Sequence, residues 1–343
     1  MRSFRGTNGE GLPLANSDLL NLRFKDLGLN LSHSPMLKWI NDVEKELSVH
    51  GLHFKPHYWI ADEWFVADGI AGVAIPFYLF HPALTRLHKS QGYEVEGCTE
   101  IQFKKLLRHE LGHAIDNAFG LRRSKKRQRL FGLTSTHYPT SYHPKLHSRH
   151  YVRHLNSGYA QAHPDEDWAE TFAVWLNPRS NWKERYKNWP ALKKLQLVDE
   201  LMHSLRGLKV KRRDQNTVGD VSHSNKRLKE FYQLQKSQKS INQCGYLKKL
   251  VPQVFVSTTS RDENVQTLKF LKSHRRSLCQ SVARRTGYHQ YQIDFILKDL
   301  ITTCQSQNLR LPYPQKQSKI LVVGALSKWV PRVIERGHPS VPM

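Results

Sequence analysis

Apolar residues recur at Ile101, Phe103, Leu106, Leu107, Leu111, Ala114, Ile115 and Ala118, the 3.6-residue period of a helix with one broad buried stripe. Thr99 stands before this run with Gln102 three residues on, a capping-box pattern, and Gly120 supplies a stop. Gly112 costs such a helix about 0.5–1 kcal/mol relative to alanine, which points to another backbone passing close by. Trp168, Phe172, Ala173 and Trp175 mark the buried side of a second helix. Upstream, Ser34-Pro35 opens a helix with Trp39, Ile40, Val43 and Leu47 as its apolar face, and Gly51 ends it. From Phe54 to Tyr78, aromatic and β-branched residues broken by Gly69 and Gly72 predict two or three strands. Among them 72–77 reads as an edge strand, where Pro76 is tolerated. Residues 1–33 read as an irregular polar lead, 131–157 as a loop that walls or covers a cleft, and about 190–205 as a closing amphipathic helix.

Charge changes this picture after Gly207. Residues 208–343 carry 25 Lys and Arg against 8 Asp and Glu, so +17 of the chain's net +24 lies there. Within this stretch 209–240 reads as a linker with some helix, 264–285 and 288–305 as helices, and 319–323 as a short strand. An α+β domain over 1–207 is therefore expected, followed by a smaller, mainly helical basic region over 208–343. Its charge predicts weak, salt-sensitive binding to polyanions, although no zinc finger, RNP motif, P-loop or dinucleotide fingerprint accompanies it. The run Arg122–Arg129, directly after the first helix, reads as a solvated face near a helix C-terminus.

No apolar run approaches the roughly 20 residues of a membrane span, and the N-terminus lacks an apolar leader. Cys98, Cys244, Cys279 and Cys304 form no C-x-x-C pair and read as free thiols in a reducing compartment. A cytoplasmic location is the expectation.

The chemistry is concentrated in His109-Glu110-Leu111-Gly112-His113. Two histidines four apart stack on one helix face and can bind one tetrahedral ion, with Glu110 directed at a water on it. A catalytic zinc site takes a third protein ligand. Glu166 and Glu170 share a face of the second helix, so one can bind the metal while the other holds a ligating histidine. Acids at a helix start also offset its macrodipole. Asp116 is a further candidate for holding a ligand. His163 competes with Glu166 as a ligand, because histidine is the commonest one. His143, His147, His150 and His154 show no ligand spacing and read as solvated loop residues.

The segment HELGHAID (109–116) followed by EDWAETFA (166–173) resembles the gluzincin branch of zinc metallopeptidases. It is most similar to a bacterial family of zinc-binding metallopeptidases that also carries ADEW, PFYL and HP (61–64, 76–79 and 81–82 here), RHE (108–110) and AQAHP (160–164). The resemblance spans about 55–200, and a more distant one reaches the catalytic domain of anthrax lethal factor. It implies a zincin-like fold and a peptide or protein substrate. It also implies Zn2+ held by His109, His113 and Glu166, with Glu170 beside them. Glu110 is then the general base, and Tyr159, seven residues before Glu166, donates to the oxyanion, with His163 the second candidate for that role. In such folds an edge like 72–77 pairs with the extended substrate. The competing class is a nucleic-acid- or partner-binding protein with a structural or inactive zinc site. The complete HExxH favours the peptidase, since structural zinc is more often closed by four Cys or His ligands.

Overall fold

A computed structural model of the chain describes residues 15–139, 141–142, 144–145, 148–210, 214–242, 244–288, 290–335 and 341–342. They fall into two compact units: Met1–Pro139 with Pro144–Gln233, and Thr140–His143 with Leu234–Met343.

In the first unit the elements run α1 (Asn16–Asn21), α2 (Met36–Val49), β1 (His57–Ala61), β2 (Gly72–Pro76), α3 (Pro82–Ser90), α4 (Glu100–Phe119), α5 (Lys125–Phe131), α6 (Pro164–Leu176), α7 (Trp182–Arg185) and α8 (Ala191–Ser204). The unit ends within α9 (Leu228–Asn242). Helix α4 packs against α2, β2 and α6. Leu107 and Leu111 of α4, Val43 of α2, Trp168 and Phe172 of α6 and Val198 of α8 form one continuous core. At the start of α4 the Thr99 hydroxyl accepts from the Gln102 N–H at 3.3 Å. Gly120, at φ 67°, ends the helix. Ile101 does not belong to the buried stripe and is 81% exposed. Two residues from Phe103, it lies about 200° round a helix of 3.6 residues per turn.

The sheet has two strands. β1 and β2 are parallel, in register from His57↔Gly72 to Ala61↔Pro76. On the far side of β2 the Ala74 N–H donates to the Phe65 carbonyl at 2.9 Å, and every residue of β2 is buried. The Asn117 side-chain amide, from α4, donates to the carbonyls of Ala67 (3.0 Å) and Ile70 (2.8 Å). The expected open edge at 72–77 is therefore covered by its own crossover. That corrects the expectation of a free ladder for substrate.

Residues 1–14 of the expected irregular polar lead lie outside the described residues, and from Ala15 on it is packed rather than irregular. Leu19, Phe24 and Leu27 are buried against Leu84 and Leu87 of α3 and Leu228, Phe231 and Tyr232 of α9. Nor is 214–233 a free linker. The Phe24 N–H donates to Lys226 O and the Leu228 N–H to Leu22 O, both at 3.0 Å. The Val221 N–H donates to Ile60 O at 2.9 Å, and the Trp59 indole to Val218 O at 2.8 Å. The first unit thus runs past position 207 to Gln233, because backbone pairing and three large apolar side chains hold this segment in place.

The second unit holds α10 (Cys244–Val254), β4 (Val256–Ser257), α11 (Arg261–Thr286), α12 (Gln290–Ser306), β5 (Leu309–Arg310) and α13 (Gln315–Glu335), with a pair between β3 (Ser141–Tyr142) and β6 (Val341–Pro342). Its core joins Leu271, Leu278, Ile296, Leu300, Leu326 and Val330. The strand expected at 319–323 is part of α13. Val322, Leu326 and Val330 are each fully buried at four-residue spacing, and burial on that helical period overrides the β-preference of a short apolar run. The protein is a helix-rich mixed fold with small sheets. Among the described residues no helix is long and apolar enough to cross a membrane.

The packing of α3 carries a pH dependence. His88 is 7% exposed, stacked on Tyr78 with ring centroids 4.0 Å apart, and its Nδ1 lies 3.1 Å from the Tyr232 hydroxyl. Burial pushes its imidazole down to about 4. An unfolded histidine titrates near 6.5, so the unfolded chain takes the proton first as pH falls. The stabilisation is whole above about 6.5 and drains away between there and about 4. Urea midpoints measured across that window should fall more steeply for the wild type than for His88→Gln. Parallel slopes would show that another group governs acid sensitivity.

Candidate metal centre

Helices α4 and α6 meet at Gly112. A Cβ there would lie 2.8 Å from the Ala169 Cα, so only glycine lets the backbones approach, and the Trp168 indole donates to the Gly112 carbonyl at 2.8 Å. This contact turns His109 and His113 toward Glu166 and Glu170. His109 Nε2 and His113 Nε2 are 3.3 Å apart. Glu166 Oε2 lies 3.0 Å from the first and 3.4 Å from the second. A tetrahedral ion with donors at 2.0–2.1 Å separates them by about 3.3 Å. The three donor atoms already have the spacing that such an ion requires, and they could hold one.

Electrostatics agrees with the geometry. Burial alone would push both imidazoles down, but the carboxylates beside them reverse this. His109 stands well above its ordinary value, held by Glu166 and Glu170, and His113 is raised by Glu166. Burial would lift the Glu166 carboxyl, yet His113 and His109 hold it well below the carboxylate range. The carboxylates thus favour positive charge on the imidazoles beside them. Glu110, 7% exposed, is raised by burial in spite of the two histidines.

Surrounding groups orient the donors. Glu170 Oε1 lies 2.9 Å from His109 Nδ1, and its Oε2 accepts from the Leu155 N–H at 2.8 Å. With Nδ1–H donated to Glu170, a neutral His109 would present its Nε2 lone pair to an ion held between it, His113 and Glu166. The Tyr159 ring is 5.6 Å from that of His109, centroid to centroid. Asp116 does not reach a histidine. It accepts from the Arg122 N–H at 2.6 Å and from Arg127 Nη2 at 2.8 Å, which removes it from the ligand-holding role expected of it. His163 is not available as a ligand or an oxyanion donor. Its Nδ1 accepts from the Asp165 N–H at 3.1 Å as the N-cap of α6, and its Nε2–H donates to the Thr136 carbonyl at 2.8 Å.

Three participants were not foreseen. The Tyr138 hydroxyl donates to Glu166 Oε1 at 3.1 Å. Arg127, expected in a solvated run, is fully buried and bridges Asp116 on α4 and Asp165 on α6 at 2.8 and 2.7 Å. The signal for it was present, since an acid embedded in an apolar helix stripe, as Asp116 is, needs a cation. His154 donates through Nε2 to the Lys105 carbonyl at 2.8 Å and is half-buried rather than solvated. His150 is exposed, whereas His143 and His147 lie outside the described residues.

Residues 105–262 match the model of a family described as "Putative zinc-binding metallo-peptidase". No curated protein and no solved structure matches the chain. The matched stretch contains His109, His113 and Glu166 and extends into the second unit.

Arg127→Met should test the bridge between the helices. It would remove the cation that two buried carboxylates share, leaving Asp165 without its cation and Asp116 with Arg122 alone at 3.9 Å, at a cost of about 3–5 kcal/mol. Urea denaturation followed by tryptophan fluorescence should show that loss. A change within about 0.5 kcal/mol, typical of a surface site, would return Arg127 to the solvent.

Proposed function

We propose that the chain is a zinc-dependent peptidase of gluzincin type, with a zincin-like catalytic unit. The observation that carries this is the set of three donor atoms at 3.0–3.4 Å, with the buried Glu110 next to His109 on the same helix. Two imidazoles and one carboxylate suit zinc, and three protein donors rather than four leave a position for a reacting group. When bound, zinc supplies a water acidified to near neutrality and polarises the carbonyl under attack.

The remaining steps belong to side chains. Glu110 accepts the proton of the attacking water and delivers it to the departing amine. Its raised pKa brings it nearer neutral pH, where a general base works best. Glu170 holds the His109 ring in the tautomer that presents Nε2. Tyr159, beside His109, donates to the oxyanion of the tetrahedral intermediate. The substrate is a peptide or an unfolded protein segment. The family match over residues 105–262 supports a peptidase at the same coarse level.

Elemental analysis and a fluorogenic peptide-library assay test this together. Purified protein should carry one zinc, lost in His109→Ala. Glu110→Gln should keep fold and zinc yet lose several orders of magnitude in turnover, because only the base is gone. Protein that takes up no transition metal, or a Glu110→Gln variant near wild-type activity, would remove the mechanism.

A further inference from the structure

We infer that Tyr138 is a positioning residue of the metal centre, acting through Glu166 by deciding which carboxylate oxygen faces the histidines. The inference rests on the zinc-site reading above. Glu166 divides its oxygens: Oε2 faces both Nε2 atoms, and Oε1 accepts from the Tyr138 hydroxyl at 3.1 Å. A carboxylate can bind an ion through one oxygen or both. A donor fixed on the outer oxygen favours one-oxygen binding, which leaves room at the ion for water and substrate.

The hydroxyl is preset rather than swinging, although Tyr138 is 42% exposed. Its ring stacks on His163 with centroids 3.5 Å apart and planes 16° from parallel. His163 cannot turn, since one ring nitrogen caps α6 and the other holds Thr136 O. The segment carrying Tyr138 is fastened to the first turn of α6 at further points. The Thr134 hydroxyl donates to Asp165 Oδ1 at 2.9 Å. Gly132, at φ 101°, sits where a Cβ would be 3.1 Å from Pro164 Cγ. Residues 132–138 and the start of α6 thus share their anchors, and Glu166 lies one residue past Asp165. Side chains that hold a metal ligand in this way usually change affinity by about 10–100-fold when lost.

The test is zinc titration of metal-stripped, full-length protein against a competing chelator dye, with apo-protein melting and peptide turnover measured alongside. Tyr138→Phe keeps the ring and its stacking and removes only the hydroxyl. Zinc binding should weaken through that change alone: the dissociation constant rises about 10–100-fold, while the apo melting temperature stays put. Turnover at saturating zinc should change far less than in Tyr159→Phe. Three outcomes would overturn the inference. An unchanged zinc constant with reduced turnover would make Tyr138 a catalytic donor instead. Unchanged values of both would make it a wall residue. A lowered apo melting temperature with an unchanged constant would make it structural. Wild-type protein that binds no zinc would instead defeat the metal-site reading itself, so the two failures are distinguishable.

Discussion

The close approach of α4 and α6 at Gly112 is the constraint on which the site depends. Any side chain at that position would collide with the backbone at Ala169 and part the helices. The donor atoms span only 3.0–3.4 Å, so a separation of a few tenths of an ångström is a large fraction of their spacing. The cost of glycine in a helix interior, about 0.5–1 kcal/mol, is small beside the packing of Trp168 and Phe172 that it permits. The Trp168 indole on the Gly112 carbonyl adds direction to a contact that apolar burial alone would leave free to slide.

Buried charge provides the remaining direction. A row of acids enters α6 at Asp165, Glu166 and Asp167, all nearly inaccessible, and each has its own cationic or hydrogen-bonding partner. Asp165 pairs with Arg127, Glu166 faces the two histidines, and Asp167 pairs with Lys194 of α8 at 2.5 Å. Desolvating such groups is costly unless every one finds its partner. A shift of α6 by one residue against α4, α5 and α8 would mismatch all three. The acids therefore specify a single alignment of the helices, in addition to any chemistry that Glu166 performs.

Much of this was legible where the information is local. The period of α4 and α6, the cap at Thr99, the stop at Gly120 and the four-residue spacings of His109 with His113 and Glu166 with Glu170 are all read within a few turns. The meaning of Gly112 was legible too, since a costly residue implies a reason. What escaped depends on pairing at long range. Nothing near Tyr138 announces that its hydroxyl reaches a residue 28 positions away, and the fastening of 214–233 depends on partners at Leu22, Phe24, Trp59 and Ile60. His163 was misread although a local cue existed. His81-Pro82 and His163-Pro164 are the same device, a histidine whose Nδ1 caps a helix opened by proline, and recognising the repeat would have withdrawn His163 from the chemistry.

The covering of β2 bears on how the chain behaves at high concentration. A short apolar strand with an open edge is a template on which other copies can add strands, and Val73, Ala74 and Ile75 are the sort of sequence that does so. Here Phe65 occupies that edge at Ala74, while the Asn117 amide satisfies the crossover carbonyls at Ala67 and Ile70. A single asparagine on the helix of His109 and His113 thereby pins the crossover that guards this edge, and the fold that assembles the candidate site also conceals an apolar strand.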